Sequence, residues 1–229
     1  MHKVDPKLAA INKRVYSQFD EDGVVESIVE SLKIKNGFYV EFGVGPRLPQ
    51  LLATDGMEAN TRLLKENGWS GLWMDGNVWP PEHGVQTEWI TPLNINLLLA
   101  KHAVPEAFDL ISIDVDGQDP WIWMALNATP KIVVIECNGN FDCGDSRMIP
   151  FDLDYRWDGT TWFGASATAM QKIGLSKRYV LVWTNAFNCI FVREDQISNP
   201  QDFELERIYK RITFDMYQPD LKNRPWIFI

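Results

Sequence analysis

Four places in this chain set acids, amides and glycines directly after an apolar run: Glu41-Phe42-Gly43-Val44-Gly45, Asp75-Gly76, the stretch from Asp114 to Asp119, and Glu136-Cys137-Asn138. Gly43 and Gly45 let a backbone turn tightly and approach a ligand with no Cβ in the way, although ordinary turns use glycines too. Asp75, closing its run, can accept both hydroxyls of a ribose; taken alone, such an Asp is also a helix cap or turn former. Asp114, Asp116 and Asp119 repel one another unless they share a proton or a cation. A hard divalent ion such as Mg²⁺ is one natural partner, with Asp114, Glu136 and Asn138 as its ligands and a bound hydroxyl made more acidic by it. The metal-free alternative makes Asp114 or Asp116 a general base or a positioning group, so Asp114, Asp116 and Glu136 are the candidate catalytic residues. A purely structural alternative makes Asp116-Gly117 a turn and Asp119-Pro120 a helix start.

These residues need a scaffold that brings four run ends together, and the pattern of the chain supplies one. Short apolar runs at 38–42, 71–75, 86–90, 108–114 and 131–136 alternate with helical patterns near 58–67, 92–103 and 120–126. Residues 5–15 predict a leading helix. The stripe Val24, Val25, Ile28, Val29 and Leu32 predicts a second, begun by acids at 20–22 and ended by Gly37. After a polar, turn-rich stretch at 139–162, a helix at 164–174 precedes strands at 179–184 and 187–193, whose short connection predicts an antiparallel pair. The expected fold is α/β: a Rossmann-like, doubly wound, mainly parallel seven-stranded sheet with an antiparallel C-terminal strand and helices on both faces. One domain over 1–229 is expected, with N-terminal helices at 1–36, a cofactor-binding half at 37–138, and a substrate-side loop with the last strands at 139–229. In such sheets ligands sit beyond the carboxyl ends of the strands.

Glycine turn and strand-end acid fit either a dinucleotide or S-adenosylmethionine. A dinucleotide fingerprint wants a third glycine at position 48, where this chain has Leu48 between Arg47 and Pro49. S-adenosylmethionine carries no phosphate, and Glu41 would suit its cationic amino-acid end, so the balance favours the methyl donor. The segments Tyr16-Ser17-Gln18-Phe19-Asp20-Glu21-Asp22-Gly23, 39–45, Asn60-Thr61-Arg62, 67–76 (Asn-Gly-Trp-Ser-Gly-Leu-Trp-Met-Asp-Gly) and 109–117 resemble FkbM-type class I methyltransferases over roughly 15–195. That resemblance implies that Glu41, Gly43 and Gly45 line the methionine end of the cofactor and that Asp75 holds the ribose. Asn60 and Thr61 then stand at the start of the next helix, Gln18 closes over the carboxylate end, and Trp89-Ile90-Thr91 contacts the adenine. Gly76 and Asp114 complete the expected cofactor contacts. The segment Pro46-Arg47-Leu48-Pro49 departs from the family pattern, and Arg47 could reach the cofactor carboxylate. The acids also resemble those of catechol-type metal-dependent O-methyltransferases, except that the acid–amide pair is split by Cys137.

Net charge is −9 with a pI near 4.8, which gives no broad attraction to nucleic acid or anionic membrane. Three cysteines without CxxC spacing and no signal-like N-terminus predict a cytoplasmic protein. His83, His102 and Cys137 are expected to be a loop residue, a surface or helix-end residue and a packing residue, while Trp157 and Trp162 are candidates for a lid. The FkbM-type resemblance implies O-methylation of a small molecule such as a sugar, polyketide or similar hydroxylated metabolite. The alternatives are a nicotinamide-dependent oxidoreductase and a catalytically degenerate domain that only binds.

Overall fold

Strands whose side chains alternate between two apolar faces build the centre of the molecule. The computed structural model describes residues 1–46, 57–212 and 216–229. Its main sheet comprises β1 (Phe38–Phe42), β2 (Ser70–Asp75), β3 (Val85–Thr87), β4 (Leu110–Ile113), β5 (Ile132–Glu136), β6 (Tyr179–Thr184) and β7 (Asn188–Arg193). The spatial order is β3-β2-β1-β4-β5-β7-β6. Pairing is parallel from β3 through β5, and β7 runs antiparallel to both of its neighbours. The expected Rossmann-like α/β fold, with its antiparallel last pair, is what the chain adopts.

Alternation explains the layers. Val40, Phe42, Ile111, Ile113, Val133 and Ile135 point to one face and pack on α3 (Ile95–Lys101), α4 (Asp119–Ala125) and α5 (Ala167–Ser176). Tyr39, Leu110, Ile132 and Val134 point to the other and meet α1 (Glu21–Ser31) and α2 (Arg62–Glu66). Every residue of the predicted stripe on α1, from Val24 to Leu32, is buried. The crossovers change face between β1 and β4, and a ligand crevice is expected at that switch.

Three helices are shorter than their sequence pattern, each for a local reason. The leading helix is only a 3₁₀ turn, Pro6–Ala10, capped by Asp5 accepting from the Lys7 N–H at 2.9 Å. α2 starts at Arg62 because Met57-Glu58 pairs with Gly45-Pro46 in a two-residue ladder and cannot coil. α3 starts at Ile95, not Pro92, because the Asn94 amide holds the chain before it as a turn, accepting from Thr91 N at 2.8 Å and donating to the Trp89 carbonyl at 2.7 Å. β3 stops at Thr87, which leaves Trp89 and Thr91 beyond the sheet edge. The segment Arg47-Leu48-Pro49, singled out in the sequence, lies outside the described residues. Among the described residues no helix is long and apolar enough to cross a membrane.

Candidate active site

Three adjoining cavities of about 270, 300 and 190 Å³ open beyond the carboxyl ends of β1, β2, β4 and β5. Asp114 and Asp116 line all three, Gly43 and Asp75 line the first two, and Gln18 and Asn188 line the second and third. The three are therefore one crevice at the topological switch. Its first chamber adds Gly76, Asn77, Trp89, Ile90 and Thr91, and its second adds Glu41, Gly45 and Asn60. Glu136 lines the third. Of the sequence-predicted residues, Thr61 and Asn138 line none of them.

The two glycines serve different ends. Gly43 has φ +75°, and a Cβ there would lie 1.5 Å from the Asp114 carbonyl oxygen, so the passage of β1 beside the β4 loop itself requires glycine. At Gly45, which lines the second chamber, no described residue lies within 4 Å of where a Cβ would be. Gly76 lies under Trp89, where a Cβ would come within 2.8 Å of the indole.

Glu41, Asn60 and Thr61 turn out to be joined to each other. The carboxylate accepts from the backbone N–H groups of Asn60 (2.7 Å) and Thr61 (3.0 Å) and from the Thr61 hydroxyl (2.5 Å), which in turn accepts from Trp73 Nε1 at 2.8 Å. Burial pushes the Glu41 carboxyl up to about 7, against the pull of the Thr61 and Asn60 donors. Asn60 remains at the cavity wall with its amide donating to Ser112 Oγ at 3.1 Å. Asp75 is buried; its Oδ1 accepts from Asn77 N at 2.6 Å, and burial raises its carboxyl.

The acids beyond β4 and β5 form a second cluster. One carboxylate oxygen each from Asp114, Asp119 and Glu136 lies within 4.8 Å of the others. Burial first, and mutual repulsion second, hold Asp114 and Glu136 far above the usual carboxylate range. Asp119 also does what a turn-forming Asp does, accepting from Val115 N (2.8 Å) and Gly117 N (2.7 Å), and burial takes it up to about 7. Asn138, expected among metal ligands, is turned away. Its amide nitrogen donates to the Thr161 and Phe163 carbonyls at 3.0 and 2.9 Å, and its oxygen accepts from Asn140. The amide is spent on holding the 139–163 stretch, and Asp119 stands in its place in the cluster.

Gln18 reaches the crevice because of the two acids that follow it. Asp22 Oδ2 gathers the N–H groups of Val15, Tyr16 and Ser17, each at 2.8 Å, while Glu21 accepts from Phe19 N, Asn185 and Asn188. These side chains are buried and fold residues 15–19 into a loop over the strand ends. The opening motif thus builds a shelf for Gln18. Across the crevice, residues 152–157 supply Tyr155, Arg156 and Trp157, with the Arg156 guanidinium stacked 4.0 Å over Trp89. Trp162, the other lid candidate, is instead buried with Ile149, Tyr155 and Phe163.

Sequence reasoning missed Asn77, Gln118, Asn188, Phe187 and Tyr217 as lining residues. Only the amides Asn77 and Asn188 had a usable signal, namely a polar residue next to a strand end; Tyr217 comes from a segment with no pattern. His102 caps α3 and binds Glu88 at 2.6 Å, His83 packs edge-on to Trp79, and Cys137 is buried.

Fold and crevice together define a Rossmann-like α/β protein with an acidic, three-chambered cleft at its topological switch. No family model matches the chain, and searches of curated proteins and of solved structures found no match.

Proposed function

We propose that the chain is an S-adenosylmethionine-dependent methyltransferase acting on a hydroxyl of a small molecule. The observation that carries this reading is that Glu41 occupies the N–H groups preceding α2. A dinucleotide fold aims that helix start at a pyrophosphate. Here a phosphate would meet carboxylates instead, since Asp75, Asp114 and Asp116 line the same space. A cationic sulfonium with an ammonium at its amino-acid end has the complementary charge. The strand order also departs from the dinucleotide order 3-2-1-4-5-6, because β7 is inserted antiparallel between β5 and β6. Both features weigh against the nicotinamide alternative.

The cosubstrate would supply a methyl group on positively charged sulfur. Asp75 would accept the ribose hydroxyls, Trp89, Ile90 and Thr91 would flank the base, and Gln18, Gly45 and Asn60 would line the amino-acid end. The acceptor hydroxyl would enter through the third chamber, where the buried, proton-seeking Asp114 or its neighbour Asp116 takes its proton as the oxygen pair attacks. Asp114, Asp119 and Glu136 have the donor set to hold a divalent ion, but no step needs one.

Calorimetric titration with S-adenosylhomocysteine tests the reading. Wild type is expected to bind in the micromolar range, and Asp75→Ala at least about tenfold more weakly, since a buried charged hydrogen-bond partner is worth roughly 1.5–3 kcal/mol. Absence of binding by a folded wild-type protein would sink it.

A further inference from the structure

The third chamber has walls of two kinds, and their combination points to a ligand. Trp157, Phe163 and Tyr217 form a triangle of edge-on rings, with centroids 5.9, 5.5 and 5.2 Å apart. All three line the chamber, together with the carboxylates Asp114, Asp116 and Glu136. No lysine, arginine or histidine lines it among the described residues. Glu136 is the informative member. Its Oε2 is shut off from solvent and has no hydrogen-bond partner among the described residues, at the end of β5 and at the wall of an open space. A buried acceptor in that state, with two further acids lining the same space, calls for a positively charged partner.

A hydrated metal ion would answer the charge but not the rings, because Mg²⁺ keeps several waters and seeks oxygen ligands. An organic ammonium answers both: its charge pairs with the carboxylates and its C–H and N–H surface packs on aromatic faces. A chamber of about 190 Å³ is large enough for a small substituted ammonium group.

We propose that the third chamber recognises a substituted ammonium group, tertiary or quaternary, on the acceptor, making the substrate class a hydroxylated alkylammonium. The identity of the guest as methyl acceptor rests on the methyltransferase reading; the cation pocket itself does not. The nitrogen serves as a handle and not as the nucleophile, because an ammonium has no free electron pair.

The experiment compares choline with its uncharged carbon isostere, 3,3-dimethylbutan-1-ol, by calorimetry and by quenching of tryptophan emission. Choline is expected to bind at least about tenfold tighter than the alcohol, and Glu136→Gln and Trp157→Ala are each expected to remove most of that difference. Glu136→Gln keeps the shape of the side chain, and Trp157 is partly exposed, so at least one variant remains folded. Equal affinity for both probes, or no choline binding, overturns the proposal. So does Mg²⁺ binding that displaces choline and is lost in Glu136→Gln, which would make the cluster a metal centre. S-adenosylhomocysteine is titrated in parallel. Choline selectivity without S-adenosylhomocysteine binding would keep the cation pocket and discard methyl transfer; the reverse result would discard only the pocket.

Discussion

At Glu41 both carboxylate oxygens are committed, one to Asn60 and the other to Thr61. Its carboxyl is nevertheless lifted from about 4.5 to about 7 by burial. Between those values the folded protein holds a proton that the unfolded chain has lost, so folding stability falls as pH rises through that window. Asp119, lifted to about 7, acts in the same sense. Carboxylates that are lowered, Asp158 by the Thr160 hydroxyl and then Arg224, and Asp195 by Arg193, are ionised in both states above pH 5.5 and do not contribute there. The urea midpoint is therefore expected to be higher at pH 5.5 than at pH 7.5. Glu41→Gln should shrink the corresponding difference in unfolding free energy by on the order of 1–3 kcal/mol; an unchanged or reversed slope would refute this account. The types of Glu41, Asn60 and Thr61 were readable from the sequence as a set belonging to one place. Their partners were not, because a pairing across 19 or 20 residues leaves no periodic trace and a carboxylate that caps a helix start looks identical to one that faces a ligand.

The element scale is ruled by the passage from β1 into its loop. Gly43 and Gly45 look equivalent in the sequence, yet one lies against the β4 loop and the other has no described residue within reach of a Cβ. Gly43→Ala is expected to cost at least about 3 kcal/mol of stability, since both a left-handed backbone and a backbone clash must be relieved. Gly45→Ala should melt within about 1 kcal/mol of wild type and bind S-adenosylhomocysteine more weakly. Thermal melts and calorimetry on the pair separate the roles; similar destabilisation by both would show that the turn, and not the cavity, requires Gly45. The strands were legible because each is a concentrated apolar run bounded by turn residues. The two-residue ladders, 45–46 with 57–58 and 147–148 with 227–228, were not, for a pair of residues has no period. Helix starts were misjudged where a side chain, as at Asn94, competes for the backbone.

Across the whole molecule, the crevice draws on segments far apart in sequence. Residues 216–229 strap the 147–163 stretch: Ile227 and Phe228 pair with Met148 and Arg147, Thr161 N donates to the Gln218 carbonyl, and Trp162 Nε1 donates to the Pro225 carbonyl at 3.1 Å. Arg224 adds ion pairs to Asp158 (3.1 Å) and Asp220 (3.0 Å) and stacks 4.2 Å over Trp162. The seven-stranded sheet has its own core, to which the strap adds only the partly buried Ile227. A chain ending at residue 215 is expected to keep its far-ultraviolet circular dichroism and most of its S-adenosylhomocysteine affinity. It should lose choline selectivity and be cut by protease much faster within 149–163; global unfolding would show instead that the strap is part of the folding core.

Trp157 is a wall of both the first chamber and the third. A guest in either chamber would pack against the same indole, which Phe163 and Tyr217 already hold edge-on. Two such occupancies would be coupled through it, and by thermodynamic reciprocity each would change the affinity for the other by the same factor. Titrating one guest with and without the other would read that factor as a shift in affinity of equal size in both directions.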